Sequence, residues 1–145
     1  MSPKDSRFDW VKERAKCSLG SMFNALATAV EQDVQSVKEL QRAVHDSKNF
    51  FEFTRDRNVF TVTRENKKVP VELPDVVTFT LSVSEITVQT PSEDSFSVVP
   101  ALNEEGKCKL TVNGKELEVW QVCQMALGRL FFGVPEIGQQ RIEAW

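Results

Sequence analysis

Residues 8–44 read FDWVKERAKCSLGSMFNALATAVEQDVQSVKELQRAV. Phe8, Val11, Ala15, Leu19, Met22, Leu26, Ala29, Val37, Leu40 and Val44 recur at steps of three and four. At 100° per residue they fall within an arc of roughly 80°, the pattern of an amphipathic α-helix. As one continuous helix the stretch would span roughly 55 Å. A compact chain of 145 residues is about 38 Å across. The helix is therefore expected to bend, to overhang the body, or to lie against a second copy. Asp5 or Ser6 can cap its start. Gly20 lies opposite the stripe and costs about 1 kcal/mol against Ala, yet the stripe keeps phase across it, so continuity with a bend is expected.

Beyond Asn49 the period changes to two. Phe51 and Phe53 alternate, as do Phe60 and Val62, with Asp56-Arg57-Asn58 as the intervening turn. Val69, Val71 and Leu73 alternate again, but Pro70 and Pro74 demote that segment to an edge or an irregular strand. Val77, Phe79, Leu81 and Val83 share one parity, and Ile86 and Val88 the other. One strand cannot change parity without a bulge or turn, so a tight turn through Ser84-Glu85 is expected, with Val83 opposite Ile86. Phe96 and Val98 begin a further strand ended by Pro100, and Asn103–Gly106 form a loop.

Val112-Asn113-Gly114-Lys115 carries the strongest local signal. Asn-Gly tolerates positive φ at both central positions, as a type I′ hairpin requires. That register sets Leu110 opposite Leu117 and Cys108 opposite Val119. From Val119 the spacing is helical again through Trp120, Cys123, Leu127, Leu130 and Phe131, and Gly133 then Pro135 provide a stop. The fold class is α+β: a long N-terminal helix on one face of a curved six- or seven-stranded antiparallel meander, then a shorter C-terminal helix. Residues 1–133 form one domain, and 134–145 a tail or a short helix bearing Ile142 and Trp145.

The net charge is −3 and the pI about 5.3. Residues 1–18 and 52–68 each carry five basic and three acidic side chains, net +2 apiece, so −7 rests on the remainder. A duplex nucleic-acid binder needs a basic footprint, which this balance opposes. Arg55, Arg57 and Arg64 with Phe53 and Phe60 have the composition of a base-stacking sheet. Strand alternation, however, is expected to turn the arginines to solvent and the apolar residues inward. The N-terminus has no apolar h-region and no uncharged apolar run approaches ~20 residues, so neither a signal peptide nor a membrane span is expected. Three cysteines without CxxC spacing, and one histidine, predict neither a disulfide framework nor a zinc site, and a reducing, cytoplasmic setting is the default.

No motif carries specific chemistry. His45-Asp46-Ser47 has the residue types of a triad, but neighbours in sequence cannot form a relay. The carboxylates are scattered, with Glu93-Asp94 and Glu104-Glu105 in loops, and the common nucleotide, calcium, zinc and nucleophile-elbow motifs are absent. Cys108 and Cys123 fall on core faces as small apolar fillers. Cys17 falls off the stripe, beneath Trp10 at i, i+7. A tryptophan on a supposedly wet face, with Arg14 beside it, suggests an interface. Asp33 interrupts the stripe and must pair, protonate or reach water. It is expected to be exposed where the helix bends or leaves the sheet.

The leading functional expectation is a non-catalytic interaction module that self-associates, a homodimer using Trp10, Arg14 and Cys17. No cofactor or metal, no nucleic acid and no membrane are expected. The alternative is a binder of small apolar ligands in a cavity between sheet and helices, lined by Phe79, Leu81, Phe96 and Trp120. A third reading is an enzyme with unrecognised carboxylate chemistry.

Overall fold

The computed structural model describes residues 8–45, 48–66, 74–92 and 94–133. The Val69–Leu73 segment and residues 134–145, with Ile142 and Trp145, lie outside the described residues.

The long stripe forms two helices, α1 (Trp10–Lys16) and α2 (Leu19–Ala43). The expected continuity fails at Cys17-Ser18. Cys17 ends α1, its N–H donating to the Glu13 and Arg14 carbonyls, and Ser18 is extended (φ −80°, ψ 161°). The Ser18 hydroxyl accepts from the Ser21 N–H at 3.2 Å. A serine that satisfies an orphan donor in this way starts a new helix instead of continuing an old one. Asp9 caps α1 likewise. At 25 residues, α2 is about 37 Å long, which fits the diameter of the body.

Seven strands follow: β1 (Asn49–Asp56), β2 (Val59–Asn66), β3 (Asp75–Leu81), β4 (Ile86–Gln89), β5 (Ser95–Leu102), β6 (Cys108–Val112) and β7 (Lys115–Leu117). They form one open antiparallel meander in sequence order. Helix α3 (Val119–Phe132) closes the described chain. The α+β class and the order of helix, meander and helix are those read from the sequence.

Register places the apolar residues in cross-strand rows. Phe60, Phe79, Val88 and Phe96 are successive partners, as are Leu81, Ile86 and Val98, and then Pro100, Leu110 and Leu117. Phe60 sits at the centre of the core, its ring 4.4 Å from Phe79, 4.9 Å from Phe23 of α2 and 5.7 Å from Phe53. The opposite sheet face carries Thr54, Thr61 and Thr78 in one row and Thr80, Thr87 and Ser97 in the next. Such β-branched polar residues suit a strand face that meets water.

The Asn-Gly hairpin forms in the expected register, with positive φ at both Asn113 and Gly114. Two turns differ from expectation. Leu81, not Val83, faces Ile86. The Ser82 hydroxyl accepts from the Ser84 and Glu85 N–H groups, making a wider turn that leaves Val83 fully in solvent. Strand β5 also runs through Pro100 instead of ending there. Because β4 pairs no farther than Val98, the missing N–H costs no bond to that neighbour. Cys108 does not face Val119, because Glu118 ends the hairpin by capping α3 reciprocally with Gln121.

On α2 the buried residues are Phe23, Leu26, Ala27, Val30, Val34, Val37 and Gln41. Their mean direction is rotated by roughly 70° from the stripe read in the sequence. The helix buries a broader arc than one stripe because it packs on both the sheet and α3. Leu40 and Val44, read as core, lie at the exposed margin.

Candidate functional site

Helix α1 lies against β5 and β6. It buries none of its seven residues. Trp10 is 58% and Val11 59% exposed. Phe8, just before the helix, has its ring over Gly106, where a Cβ would collide with it. Arg14 turns back along the chain, its Nη1 donating to the Cys17 carbonyl at 2.9 Å. Of the three residues expected at an interface, Trp10 is open, Arg14 is exposed but engaged, and Cys17 is fully buried.

Cys17 is bonded to Cys108 of β6 with a Cα–Cα separation of 5.5 Å, within the ordinary span of a disulfide. This overturns the expectation of unpaired thiols, and with it the readings of Cys108 as filler and Cys17 as a surface group. The link closes a sequence separation of 91 residues. Spacing rules are silent at such range, and an odd count gives no pairing by elimination. The legible clue was local: Ser18 is a capping type directly after Cys17, which marks a chain break at the point where the bridge anchors.

Cys123 is the free cysteine, buried as expected. Its neighbour across the α2–α3 contact is Asp33. The Cys123 thiol is pushed up to about 12, first by burial, then by the Asp33 charge and the hydrogen bond to it. Burial also raises the Asp33 carboxyl, and the thiol hydrogen bond partly opposes this. The helix does not leave the sheet at Asp33 as expected. It continues, and the carboxylate is half-buried against α3.

The four residues expected to line one cavity are not brought together. Phe79 is stacked in the core, Leu81 is half-buried at its margin, and Trp120 is 64% exposed on α3. Trp120 shares the phase of buried Leu127 at i, i+7, but it sits in the first turn of α3, where its ring stays in solvent. Phe96 lines an open groove of about 470 Å3 between the sheet and α3, which the other three do not line. Phe96, Met125, Ala126 and Leu130 supply its apolar lining, and Arg64, Asp75, Asp94 and Arg129 its charges.

Arg64 is ion-paired with Asp75, its cross-strand partner, and its Nη1 donates to the Leu130 carbonyl at 3.2 Å. Arg129 lies 3.7 Å from Asp94. Arg55 does not turn to solvent alone either. Its guanidinium lies 5.2 Å over the Phe23 ring and donates to Asn24 of α2 at 2.7 Å. Arg64 shares strand parity with Phe60 and Val62, so it faces the helix-covered side, contrary to expectation. Of the residues that suggested base stacking, Phe53, Phe60 and Arg64 lie on the helix-covered side, Arg55 reaches α2 from its exposed edge, and Arg57 stands exposed in the turn between β1 and β2.

His45 is exposed beyond the end of α2 in the left-handed region (φ 56°). Its sequence neighbours Asp46 and Ser47 lie outside the described residues. Among the described residues, no three His, Cys, Asp or Glu side chains cluster as metal ligands, and no helix is long and apolar enough to cross a membrane. No protein-family model, curated protein or solved structure matches the chain.

Proposed function

We propose that the chain is a non-catalytic protein-interaction module that self-associates through the outer face of α1. One observation carries this reading. Helix α1 contributes no buried side chain, yet it holds Trp10 and Val11 in water and is fastened to the sheet by the Cys17–Cys108 disulfide. Tryptophan is enriched at interfaces because a rigid ring buries a large area at low entropic cost. Light scattering over a dilution series tests it. A dimer that Trp10→Ala weakens supports α1 as the contact. A monomer at every concentration removes self-association, and a dimer indifferent to Trp10→Ala removes α1.

The bridge bears on the setting as well. A closed disulfide and a steadily reducing cytosol sit poorly together, since cytosolic reductants keep thiols reduced. The pairing favours a compartment where the bridge survives.

A second reading rests on the groove beside α3. Its volume is in the range of small-ligand sites, and Phe96, Met125, Ala126 and Leu130 offer an apolar floor. An apolar ligand seated there would raise the melting temperature by mass action. A panel of fatty acids and aromatic compounds that produces no shift counts against it.

A further inference from the structure

We propose that the Cys17–Cys108 bridge is a redox latch for α1. Closed, it holds the helix and its Trp10 face on β5 and β6; opened by a dithiol, it releases α1 to unfold while the core of α2, sheet and α3 stays folded. Its consequence for partner binding rests on the interaction reading above, but the latch itself does not.

Three features place the latch at a separable joint. Helix α1 has seven residues and buries none, and isolated helices below ~12–15 residues are marginal in water. Cut from its anchor, α1 has little to keep it helical. Helix α2 does not depend on α1 for its start, because Ser18 caps it from outside the bridge. Its own buried face, from Phe23 to Gln41, remains packed whatever α1 does. The bridge therefore lies between an element with no stake in the core and one that is most of its helical layer.

The third cysteine does not interfere. Cys123 is buried between α2 and α3, and its high thiol value leaves almost no thiolate to exchange with the bridge near neutral pH. Of the bridged pair, Cys17 is fully buried and Cys108 partly so, which makes the Cys108 sulfur the more approachable. A reductant thiolate attacks it, forming a mixed disulfide with Cys108. Cys17 leaves as a thiolate and takes a proton. The second reductant thiol then displaces Cys108, which is protonated in turn, and the reductant departs as a cyclic disulfide. Two electrons pass from the dithiol to the bridge.

The test uses the whole chain, oxidised, reduced with dithiothreitol, and as the Cys17→Ser/Cys108→Ser double variant. Helix α1 carries Lys12, Arg14 and Lys16, so limited trypsin digestion read by mass spectrometry reports its opening. Hydrogen exchange of α2 and β2–β6 reports the core. Cleavage within α1 is expected to accelerate roughly tenfold or more on reduction and in the double variant, with core protection retained. Equal cleavage rates in all three forms overturn the latch, because packing then holds α1. Loss of core protection on reduction also overturns it, because the bridge is then a staple for the whole fold. Alkylation of three thiols in the denatured, unreduced protein would show that there is no bridge. None of these readouts depends on association, so a strict monomer removes the self-association proposal and leaves the latch standing.

Discussion

The Asp33–Cys123 contact makes stability fall at alkaline pH by an amount that can be worked out. The Cys123 thiol moves from an ordinary value of 9.0 to about 12 in the folded chain. Between those values the unfolded chain has released its thiol proton and the folded chain still holds it. The folded state then binds more protons, so unfolding becomes easier as pH rises. The contribution is intact below 9.0 and is lost progressively up to about 12. At about 1.4 kcal/mol per pH unit, the full loss is about 4 kcal/mol, with about 2 kcal/mol gone by pH ~10.5. The Cys123 residue is 2% exposed, so solvent screening removes little of this. Urea unfolding at pH 8 and pH 10.5 measures it, with the Cys17–Cys108 bridge verified by intact mass. Cys123→Ala supplies the reference, since its cavity cost is the same at both pH values and cancels in the difference. Wild type should lose about 2 kcal/mol more than Cys123→Ala between the two conditions. Because burial is the largest single cause, Asp33→Asn should reduce that loss without abolishing it. Equal losses in wild type and Cys123→Ala would refute the buried thiol, and a loss abolished by Asp33→Asn would refute the ranking of its causes.

Phe60 touches three other rings and is fully buried, so Phe60→Ala should cost about 3–5 kcal/mol in urea unfolding; a cost below about 2 kcal/mol would mean that the ring cluster is not the centre of the core. Ser18→Ala removes the cap that starts α2 and should cost about 1 kcal/mol, with faster amide exchange confined to the first turn after Leu19. An unchanged denaturation midpoint would show that the break at Cys17-Ser18 does not depend on the hydroxyl. Gly106 takes φ +76° beneath the Phe8 ring, so Gly106→Ala should lose about 1 kcal/mol or more from backbone strain and displace Phe8, which nuclear Overhauser contacts between the two residues would report; a neutral substitution with those contacts intact would refute the close approach.

The fold was legible where two independent signals agreed. Asn113-Gly114 demands positive φ, and the apolar alternation on either side chooses the same register, so that hairpin forms as read. The parity change between Val83 and Ile86 correctly announced a turn. Its width was not legible, because a serine side chain that replaces backbone hydrogen bonds can open a tight turn without disturbing parity on either strand. Pro100 was misread for a related reason. Its cost depends on whether a neighbouring strand needs its N–H, and that is a fact of pairing, not of sequence. On α2 the period was correct but the centre of the buried arc was not. The stripe and the arc buried between the sheet and α3 share only Leu26 and Val37, because the position of the second packing partner, which the wheel does not contain, sets where that arc is centred. Strand alternation is a sound rule, but applied to Arg64 it gives the core side and not solvent, because residues 60, 62 and 64 share one parity. An arginine can take that position because Asp75 and the Leu130 carbonyl meet its guanidinium there.

Length left a bend, an overhang or a second copy, since a helix of about 55 Å cannot be contained by so small a body. The break at Cys17-Ser18 removes that inference, because α2 alone fits. What remains is the shorter piece, and its composition is harder to explain than its length. A two-turn helix with no buried residue adds almost nothing to stability and exposes a tryptophan, which is a liability in a solitary protein. Fraying would ordinarily dissolve such a segment. The bridge keeps it in place and fixes the direction in which Trp10 points. A covalent anchor beside a helix outside the core suits a role in which the position of its outer face matters to something beyond the core. That is why the interaction reading now rests on Trp10 and the Cys17–Cys108 bridge together, and why separating them by reduction is the sharper test of either.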